Sequence, residues 1–307
     1  MKTSEIIILG VKNPKEFFRT IISKVPPFIF PDEPYLKLLY RLKLGEKLNL
    51  NNPQTFNEKL NWLKLFDRRP EYTQMVDKIE VKQLVSSIVG GYIIPTLGVW
   101  EDPNEIDLGA LPNQFVLKCN HNSGGLFICK DKQKLTAEKW GHVKKELKRS
   151  LEYNYYWYSR EWPYKNVKRR ILAEKYMEDS SGGLKDYKFF CFNGKVKAMF
   201  IATDRQTVGE EVKFDFFDEN FNHLPFKQGH DNAKITPSKP SCFEEMKQVA
   251  EKLSAGIPHV RVDLYEINGN VYFGELTFSH FDGTVPFKPK EWDYTFGSWL
   301  DLTSVKK

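Results

Sequence analysis

The sequence predicts an α+β fold in two lobes, preceded by a helical N-terminal segment. Its 307 residues are enough for a large hydrophobic core that divides in two. Apolar residues recur at helical spacing through the first quarter of the chain. Further along, alternating polar and apolar runs flank turn signals at Asn193-Gly194 and around Gly269, a pattern typical of antiparallel hairpins.

The composition is that of an ordinary soluble protein, with 41% hydrophobic and 28% charged residues. A formal charge of +6 is modest for this length and does not by itself indicate a nucleic-acid partner. The longest apolar run near the N-terminus, Ile6–Leu9, is too short for a signal peptide or a membrane span. We therefore expect a cytoplasmic protein that is not integral to a membrane. The cysteines lack Cys-x-x-Cys spacing and are expected to be reduced core thiols: Cys119, Cys129, Cys191 and Cys242.

Residues 1–75 are predicted to form helices over Lys12–Lys24, Pro34–Lys43 and Pro53–Phe66. In the third helix Asn52 is the expected N-cap, and Pro53 takes the first helical position. No chemistry is visible in this segment, so its aromatic and leucine residues are interpreted as packing.

A polar, glycine-containing loop, Asn120–Gly125, joins two predicted strands, Phe115–Cys119 and Leu126–Lys130. Such a loop binds phosphates when glycine lets backbone N–H groups converge on an anion, and Lys118 would add positive charge. It is not a Walker A loop, because Gly-Lys-Ser/Thr is missing and a strand follows. A plain hairpin turn is the alternative interpretation.

A basic helix, Thr136–Glu152, leads into an aromatic loop, Tyr153–Tyr164. Basic residues interleaved with aromatics bind anionic sugars, nucleotide sugars or single-stranded nucleic acid. A packed loop after a solvated helix explains the same pattern, and nucleic acid is the least favoured of these interpretations.

The remaining predicted elements alternate between strands and helices. They are a helix opening at Asp77–Lys82 and ending near Gly90-Gly91, an edge strand Tyr92–Trp100, strands Arg170–Met177, Tyr187–Phe192, Lys195–Thr203 and Val212–Phe217, and helices Phe243–Ala255 and Pro289–Leu302.

The last hairpin carries a polar face. With a three-residue loop centred on Gly269, Asp263 lies opposite Glu275. The same register places Arg261 opposite Thr277. A two-residue turn would shift the pairing by one residue and separate the two carboxylates, so the three-residue loop is preferred.

Two facing carboxylates repel each other unless a positive charge lies between them. Arg261 supplies that charge if the face is a structural ion cluster. Alternatively the carboxylates bind Mg²⁺, which takes one or two protein carboxylates together with substrate phosphates. The hairpin alone does not decide between these interpretations.

The ordered set of motifs resembles the ATP-grasp superfamily over roughly residues 70–302. D-alanine:D-alanine ligases are a well-known branch with similar motifs. The matching features are Lys78 at a helix start, Lys118 before the glycine loop, Glu174-Lys175-Tyr176-Met177, Asp186 and Lys188 at the start of a hairpin, Arg261-x-Asp263 and Glu275-x-Thr277.

The resemblance implies two lobes whose antiparallel sheets clasp ATP, with boundaries at 1–75, 76–177 and 178–307. It also implies roles for individual residues. Phosphates would be bound by Lys78, Lys118 and Asn122-Ser123-Gly124-Gly125, and the triphosphate also by Lys188. The nucleoside would be bound by Glu174, Lys175, Tyr176, Met177 and Asp186. Mg²⁺ would be bound by Asp263, Glu275 and Thr277, and the transferred phosphoryl group by Arg261.

Three segments look more specifically like the TupA-like ATP-grasp group found among bacterial surface-polysaccharide genes: Asn52–Lys59, Lys118–Asn120 and Glu275–Phe278. The superfamily usually has Asn where this chain has Thr277, which weakens a second metal position. The resemblance implies a carboxylate–amine ligase that joins an amine to a uronic-acid sugar, or to a nucleotide-sugar or glycan substrate, through an acyl phosphate. The protein could also be peripheral to a membrane assembly of capsule polysaccharide.

Substrate recognition would fall to residues outside the ATP set, with Arg205 as a fork for the substrate carboxylate. The Ser279–Thr284 loop and His280 are further candidates, although a plain surface histidine is an equal alternative. A kinase would use the same ATP residues. A glycosyltransferase is disfavoured because the chain has no Asp-x-Asp and no Rossmann-type glycine turn. A non-catalytic binding module is disfavoured by the joint presence of the cationic and carboxylate residues.

Overall fold

The computed structural model describes residues 25–122, 124–180, 184–203 and 211–305. The predicted helix over Lys12–Lys24 lies outside these residues. The α-helices are α1 (Asp32–Leu44), α2 (Phe56–Phe66), α3 (Glu71–Val76), α4 (Glu80–Val89), α5 (Ala137–Glu152), α6 (Tyr155–Ser159), α7 (Phe243–Leu253) and α8 (Glu291–Trp299). No helix in the described ranges combines the length and the apolar character needed to cross a bilayer.

Helix α2 begins three residues later than the sequence predicted. Thr55, not Asn52, is the N-cap: its hydroxyl accepts a hydrogen bond from the Glu58 N–H at 3.2 Å, and Glu58 Oε2 accepts one from the Thr55 N–H at 3.1 Å. This reciprocal capping box satisfies two N–H groups that the first turn leaves unpaired. Asn52 instead donates its N–H to Asn49 Oδ1. The predicted cap was therefore wrong, although the helix itself is confirmed.

A four-stranded antiparallel sheet has the order β1-β4-β2-β3. Its strands are β1 (Thr96–Trp100), β2 (Phe115–Cys119), β3 (Phe127–Cys129) and β4 (Ile171–Lys175). Helix α5 packs on it through buried Leu147, which joins Phe115, Leu117 and Ile171 in one apolar cluster. The glycine loop follows β2 at the end of the sheet, as the sequence predicted.

A six-stranded antiparallel sheet has the order β11-β10-β5-β6-β7-β8. Its strands are β5 (Asp186–Phe192), β6 (Lys195–Thr203), β7 (Lys213–Asp218), β8 (His223–Leu224), β10 (His259–Ile267) and β11 (Asn270–Thr277), while β9 (Lys227–Gln228) and β12 (Phe287–Lys288) form a separate pair. The predicted turn between β5 and β6 is confirmed: Asn193 and Gly194 both have positive φ, as a type I′ turn requires.

Apolar clusters cover both faces of the six-stranded sheet. On one face Phe189 and Val262 pack with α7, α3 and α4. On the other face Phe190, Phe200 and Phe216 pack with α2 and α8. Because strand side chains alternate, the Phe190 face continues along β5 and β10 into polar residues, and this is where the candidate site lies. All four cysteines are free and buried, as expected.

The β10–β11 hairpin has the predicted pairing but a different turn. Asp263 pairs with Glu275 and Arg261 with Thr277, whereas Ile267 pairs with Asn270. The loop therefore has two residues, not the predicted three. A β-bulge at Gly274 adds one residue to β11 and restores the register that the shorter turn would have shifted. The predicted three-residue loop was wrong, and the predicted facing of the two carboxylates is confirmed.

Candidate active site

Two adjoining cavities lie between the four-stranded and the six-stranded sheet. The first has a volume of about 280 Å³ and is mostly apolar. It is lined by Ile94, Val116, Lys118, Leu126, Ile128, Glu174, Lys175, Tyr176, Met177, Leu184, Asp186 and Tyr265. An apolar cavity with a few polar groups at its edge suits a flat heterocycle such as a nucleobase.

The second cavity, of about 150 Å³, is lined mainly by charged and small residues. It shares Lys118, Leu126, Asp186 and Tyr265 with the first cavity. Its other lining residues are Lys78, Cys119, Asn122, Gly124, Lys188, Asp263, Gly274 and Glu275. The two cavities together form one cleft with an apolar end and a charged end, where three lysines and three carboxylates among the described residues line the wall.

The glycine loop borders the charged end of the cleft. Asn122 Oδ1 accepts a hydrogen bond from the Gly124 N–H at 3.0 Å, and its side-chain amide donates to the Ser150 carbonyl on α5 at 3.1 Å. Gly125 has φ +63°, and a Cβ there would come within 2.6 Å of Cys119 Sγ. Only glycine therefore fits between the loop and the sheet. Lys78 donates to the Asn122 carbonyl at 2.9 Å, which ties the loop to the start of α4.

Glu174, at the end of β4, binds two lysines. Lys82 Nζ lies 2.7 Å from Oε1, and Lys118 Nζ lies 2.5 Å from Oε2. Burial raises the pKa of Glu174, but the charges of Lys118 and Lys82 outweigh it, so the net pKa is lowered. Lys82 was missed as a site residue, since one lysine in an amphipathic helix does not differ in sequence from a surface lysine. Lys82 Nζ also donates a hydrogen bond to the Ile94 carbonyl, 2.9 Å away.

Asp263 is almost fully buried and is bound by two cations. The Arg261 guanidinium contacts both its oxygens at 2.7 Å through Nε and Nη2, and Lys188 Nζ binds Oδ2. Lys188 also lies 3.7 Å from Asp186 Oδ1. The paired geometry gives Arg261 a fixed orientation, because a bidentate fork constrains the plane of the guanidinium. It presents its remaining Nη1 to His280 Nδ1 at 2.6 Å.

Glu275 is the less tightly bound carboxylate. Its oxygens lie 3.5 Å from Lys78 Nζ and 3.8 Å from Arg261 Nη2, and 38% of its side chain is exposed. Burial acts to raise its pKa, but Lys78, Lys188, Arg261 and Lys118 together lower it to about 2. Glu275 therefore remains an anion at neutral pH and lies open to the charged cavity.

Mg²⁺ fits this donor set in part. Glu275 offers open carboxylate oxygens, the ligand type that Mg²⁺ prefers, beside a cavity that would hold phosphate oxygens. Both Asp263 oxygens are hydrogen-bonded to cations, and Thr277 Oγ1 accepts from Arg261 Nη2 at 3.0 Å. Glu275 is therefore the best metal ligand of the three predicted ones, and Asp263 would need Lys188 to move.

The structure brings most of the predicted site residues to this cleft. Two of them, Ser123 and Arg205, lie outside the described residues. The aromatic loop is largely packed: Tyr156 is buried, and Tyr35 donates to the Tyr158 carbonyl at 2.6 Å. His280 is buried rather than a surface residue. Sequence reasoning missed its contact with Arg261, because nothing in a loop histidine indicates which strand it packs against.

Two antiparallel sheets, with a cleft between them that is apolar at one end and charged at the other, have the arrangement of the ATP-grasp class. The family model described as TupA-like ATPgrasp matches residues 58–301. The chain belongs to this TupA-like ATP-grasp family, which confirms the predicted fold. No curated protein sequence matches the chain.

Solved structures similar to this chain are remote. D-alanine–D-alanine ligase from Bacillus anthracis, complexed with ATP, is 16% identical with a TM-score of 0.41, and the match covers 66% of this chain and 55% of that one. The Helicobacter pylori enzyme is 16% identical with a TM-score of 0.42, covering 74% and 61%. ATP-grasp ligase PsnB, complexed with a minimal precursor, Mg and ADP, is 10% identical with a TM-score of 0.40, covering 91% and 67%. This chain spans less than two thirds of either D-alanine–D-alanine ligase.

Proposed function

We propose that this protein is an ATP-dependent carboxylate–amine ligase. The single observation that supports this best is the continuous cleft, in which a mostly apolar cavity joins a charged cavity that contains Lys78, Lys118 and Lys188 as well as Asp186, Asp263 and Glu275. A nucleotide has the same division, with an apolar base at one end and a polyanion at the other. The Arg261–Asp263 fork lies at the charged end, where phosphoryl transfer would take place.

The nucleoside end would be formed by Glu174, Lys175, Tyr176 and Met177, with Asp186 near the ribose. Both oxygens of Glu174 bind lysines in the free protein, so contact with the adenine amino group would require Lys118 to move from Glu174 to a phosphate. Such a move is favourable in charge, because Lys82 would stay with Glu174 while Lys118 gained a polyanionic partner.

The reaction would proceed in two steps. A substrate carboxylate oxygen attacks the γ-phosphorus of ATP, the bond to the bridging oxygen breaks, and ADP leaves with that electron pair. An amine nitrogen then attacks the acyl carbon, the carbon–oxygen bond to phosphate breaks, and phosphate leaves while the nitrogen loses a proton. Arg261 and Lys188 would stabilise negative charge on the phosphoryl oxygens in both steps, as positioned cations do in phosphoryl transfer.

One Mg²⁺ would be held by Glu275, with Asp263 and Thr277 as further candidates. When bound it would neutralise charge on the β- and γ-phosphate oxygens. Four protein cations, Lys78, Lys118, Lys188 and Arg261, face four carboxylates, Glu174, Asp186, Asp263 and Glu275. The added negative charge of ATP is therefore best balanced with its metal.

For the substrates we propose a uronic-acid sugar, as nucleotide sugar or glycan, and an amino acid or other amine in capsule or cell-surface polysaccharide biosynthesis. A third cavity of about 730 Å³ offers room for a sugar, and its lining carries both charges, with Lys227 and Lys288 beside Glu211 and Asp231. Arg205 stays a proposed fork for the substrate carboxylate. A cytoplasmic location, peripheral to a membrane assembly, and lobe boundaries at 1–75, 76–177 and 178–307 stay predictions.

The test is phosphorus NMR of the protein with Mg-ATP, a panel of uronic acids and a panel of amines. ADP and phosphate should form only when both substrates are present, and Glu275→Gln and Asp263→Asn should abolish them. Lys134→Met, at a lysine whose side chain is 85% exposed, is the matched control and should behave as wild type.

The other outcomes contradict the proposal in distinct ways. ADP with a stable phosphorylated sugar would indicate a kinase. Turnover of a nucleotide sugar without ATP consumption would indicate a glycosyltransferase. ATP binding without turnover of any panel member, unchanged when a lysate fraction of small molecules is added, would indicate a binding module.

A further inference from the structure

The His280 imidazole is hydrogen-bonded to the Arg261 guanidinium. Its Nδ1 is 2.6 Å from Arg261 Nη1, and both side chains are buried. Because a guanidinium can only donate, Nδ1 must be the unprotonated acceptor nitrogen of a neutral imidazole. Rings of Phe190 and Phe200 pack on the imidazole with centroids 4.9 and 5.5 Å away. The guanidinium thus contacts one residue on β10, one on β11 and one in the turn that follows β11: Asp263, Thr277 and His280.

The turn that carries His280 has an unusual backbone. Phe281 and Asp282 have φ values of 49° and 56°, and Gly283 follows with 61°. Left-handed backbone at a bulky aromatic residue costs free energy and persists only where surrounding contacts impose it. A local conformation of this kind therefore requires partners elsewhere in the fold.

Helix α2 supplies those partners. Asn57, Asn61 and Lys64, spaced i, i+4 and i+7, form a polar stripe on one face of the helix. Asn61 donates to the Gly283 carbonyl and Lys64 to the Asp282 carbonyl, each at 2.8 Å, and Asn57 donates to the Val285 carbonyl at 3.1 Å.

The stripe is buried at every position, with 0%, 0% and 3% of Asn57, Asn61 and Lys64 exposed. Burying two amides and an ammonium on one helix face is costly unless each is hydrogen-bonded. All three donate to backbone carbonyls of the turn after the carboxylate hairpin; Asn57 donates in addition to Asp293 Oδ2 at 2.9 Å, and Lys64 to the Ser159 carbonyl at 3.0 Å. A Cβ at Gly283 would lie 2.7 Å from the Asn61 amide, so the turn and the helix are in the closest contact that glycine permits.

We propose that His280 is a positioning residue for Arg261 and that the polar stripe of α2 (Asn57, Asn61, Lys64) holds the turn that places it. The proposal rests on the proposed ligase function, in which Arg261 stabilises the transferred phosphoryl group. It also gives a role to a part of the chain that the sequence pattern marked only as packing: α2 would set the orientation of a catalytic cation about 200 positions away in the sequence.

The first test needs no activity. In protein labelled with ¹⁵N-arginine, the Arg261 guanidinium signal, assigned by its loss in Arg261→Lys, is followed by NMR. His280→Phe removes the acceptor and keeps an aromatic ring, and should speed rotation of the guanidinium by about tenfold or more. His259→Phe is the matched control, because His259 is also buried and its Nδ1 contacts the Cys191 carbonyl instead.

The second test is kinetic. His280→Phe should lower kcat by roughly 10–100-fold while the dissociation constant for Mg-ATP changes by less than about twofold, since misplacing a catalytic group affects the transition state more than the ground state. His280→Gln, whose amide oxygen accepts a hydrogen bond, should recover part of kcat. Asn61→Leu and Lys64→Met should reproduce the NMR and kcat changes of His280→Phe, measured at a temperature where each variant is folded by circular dichroism.

Unchanged guanidinium motion in His280→Phe would overturn the proposal, and so would altered motion with an unchanged kcat. An equal loss of kcat in His259→Phe and His280→Phe would also overturn the proposal, because it would indicate a general packing effect. If the wild-type protein forms no product with any substrate panel, the ligase function fails, and the NMR comparison then decides the positioning of Arg261 by itself.

Discussion

Asp263 faces Glu275 across the last hairpin because Gly274 bulges out of the strand between Glu275 and the turn. A two-residue turn and a one-residue bulge have opposite effects on register, and here they cancel. The bulge also needs a residue without a side chain: a Cβ at Gly274 would lie 2.9 Å from the Asp263 carbonyl oxygen and 3.1 Å from the Tyr265 ring.

Gly274→Ala should therefore weaken both the fold and the site. We expect a loss of about 1–3 kcal/mol in the free energy of unfolding, typical of overpacking, and a rise of at least tenfold in the dissociation constant of Mg-ATP as Glu275 shifts. Isothermal titration calorimetry and urea unfolding measure the two quantities.

Gly269→Ala is the matched control in the same hairpin. Gly269 has φ +74° and open space around it, so alanine should cost about 1–2 kcal/mol of stability through the left-handed backbone alone. Its nucleotide affinity should stay at the wild-type value. Equal affinity losses in the two variants would contradict the role of the bulge in setting the site.

Lys82 is expected to control how freely Lys118 can leave Glu174. In Lys82→Met the Glu174 carboxylate keeps only Lys118, so the lysine is held there more tightly and is less available to a phosphate. We expect the dissociation constant for ATP to rise by about tenfold, equivalent to about 1.4 kcal/mol. Calorimetric titration of Lys82→Met beside Lys134→Met checks this, and equal affinities in the two variants would refute it.

At acidic pH, the free energy of unfolding should depend on the ionisation of Glu275. Its pKa is lowered to about 2 in the folded protein from an ordinary value of 4.5. A carboxylate with a lowered folded pKa contributes stability that is complete above its unfolded pKa and is lost as the pH falls through the folded one. The stability advantage of wild type over Glu275→Gln should thus be greatest above pH 4.5 and shrink toward pH 2.

Urea unfolding of both proteins at several pH values between 3 and 7 tests this dependence. The comparison between the two proteins removes the titration of the other carboxylates, which both share. A constant difference across this range would show that Lys78, Lys188 and Arg261 do not lower the pKa of Glu275.

The parts of the site that the sequence predicted are those with a local pattern. Alternation along β10 and β11 places Arg261 and Asp263 on one face, and turn dipeptides mark where the strands end. The turn length was predicted wrongly because a bulge is defined by how two strands pair, and the alternation of polar and apolar residues within one strand does not show it.

The parts that the sequence did not predict depend on contacts between distant segments. Lys64 and the Asp282 carbonyl are 218 positions apart, and Asn61 and Gly283 are 222 apart. Buried lysine and asparagine in an amphipathic helix have the same local pattern as exposed ones. Positive φ at Phe281 runs against its intrinsic preference and results from the tertiary contacts around it.

The contacts of Arg160 are expected to stabilise the fold without affecting the candidate site. Its side chain is fully buried, with the guanidinium 4.0 Å from the Tyr35 ring centroid and 3.4 Å from Asp32. It also donates to the carbonyls of Val25 and Phe30 at 3.1 and 3.2 Å, which ties α6 to the segment before α1.

Arg160→Met should lower the free energy of unfolding by about 3–5 kcal/mol, because Asp32 would lose one of its buried cationic partners and two carbonyls would lose their donor. Arg160→Lys should recover little, since an ammonium cannot stack on Tyr35 and reach the separate acceptors at once. Nucleotide affinity below the melting temperature should stay at the wild-type value in both variants, because the contacts of Arg160 lie in the N-terminal segment. Urea unfolding and calorimetric titration of the two proteins measure these effects, and full recovery of stability by lysine would show that charge alone, and not the planar fork, holds this segment together.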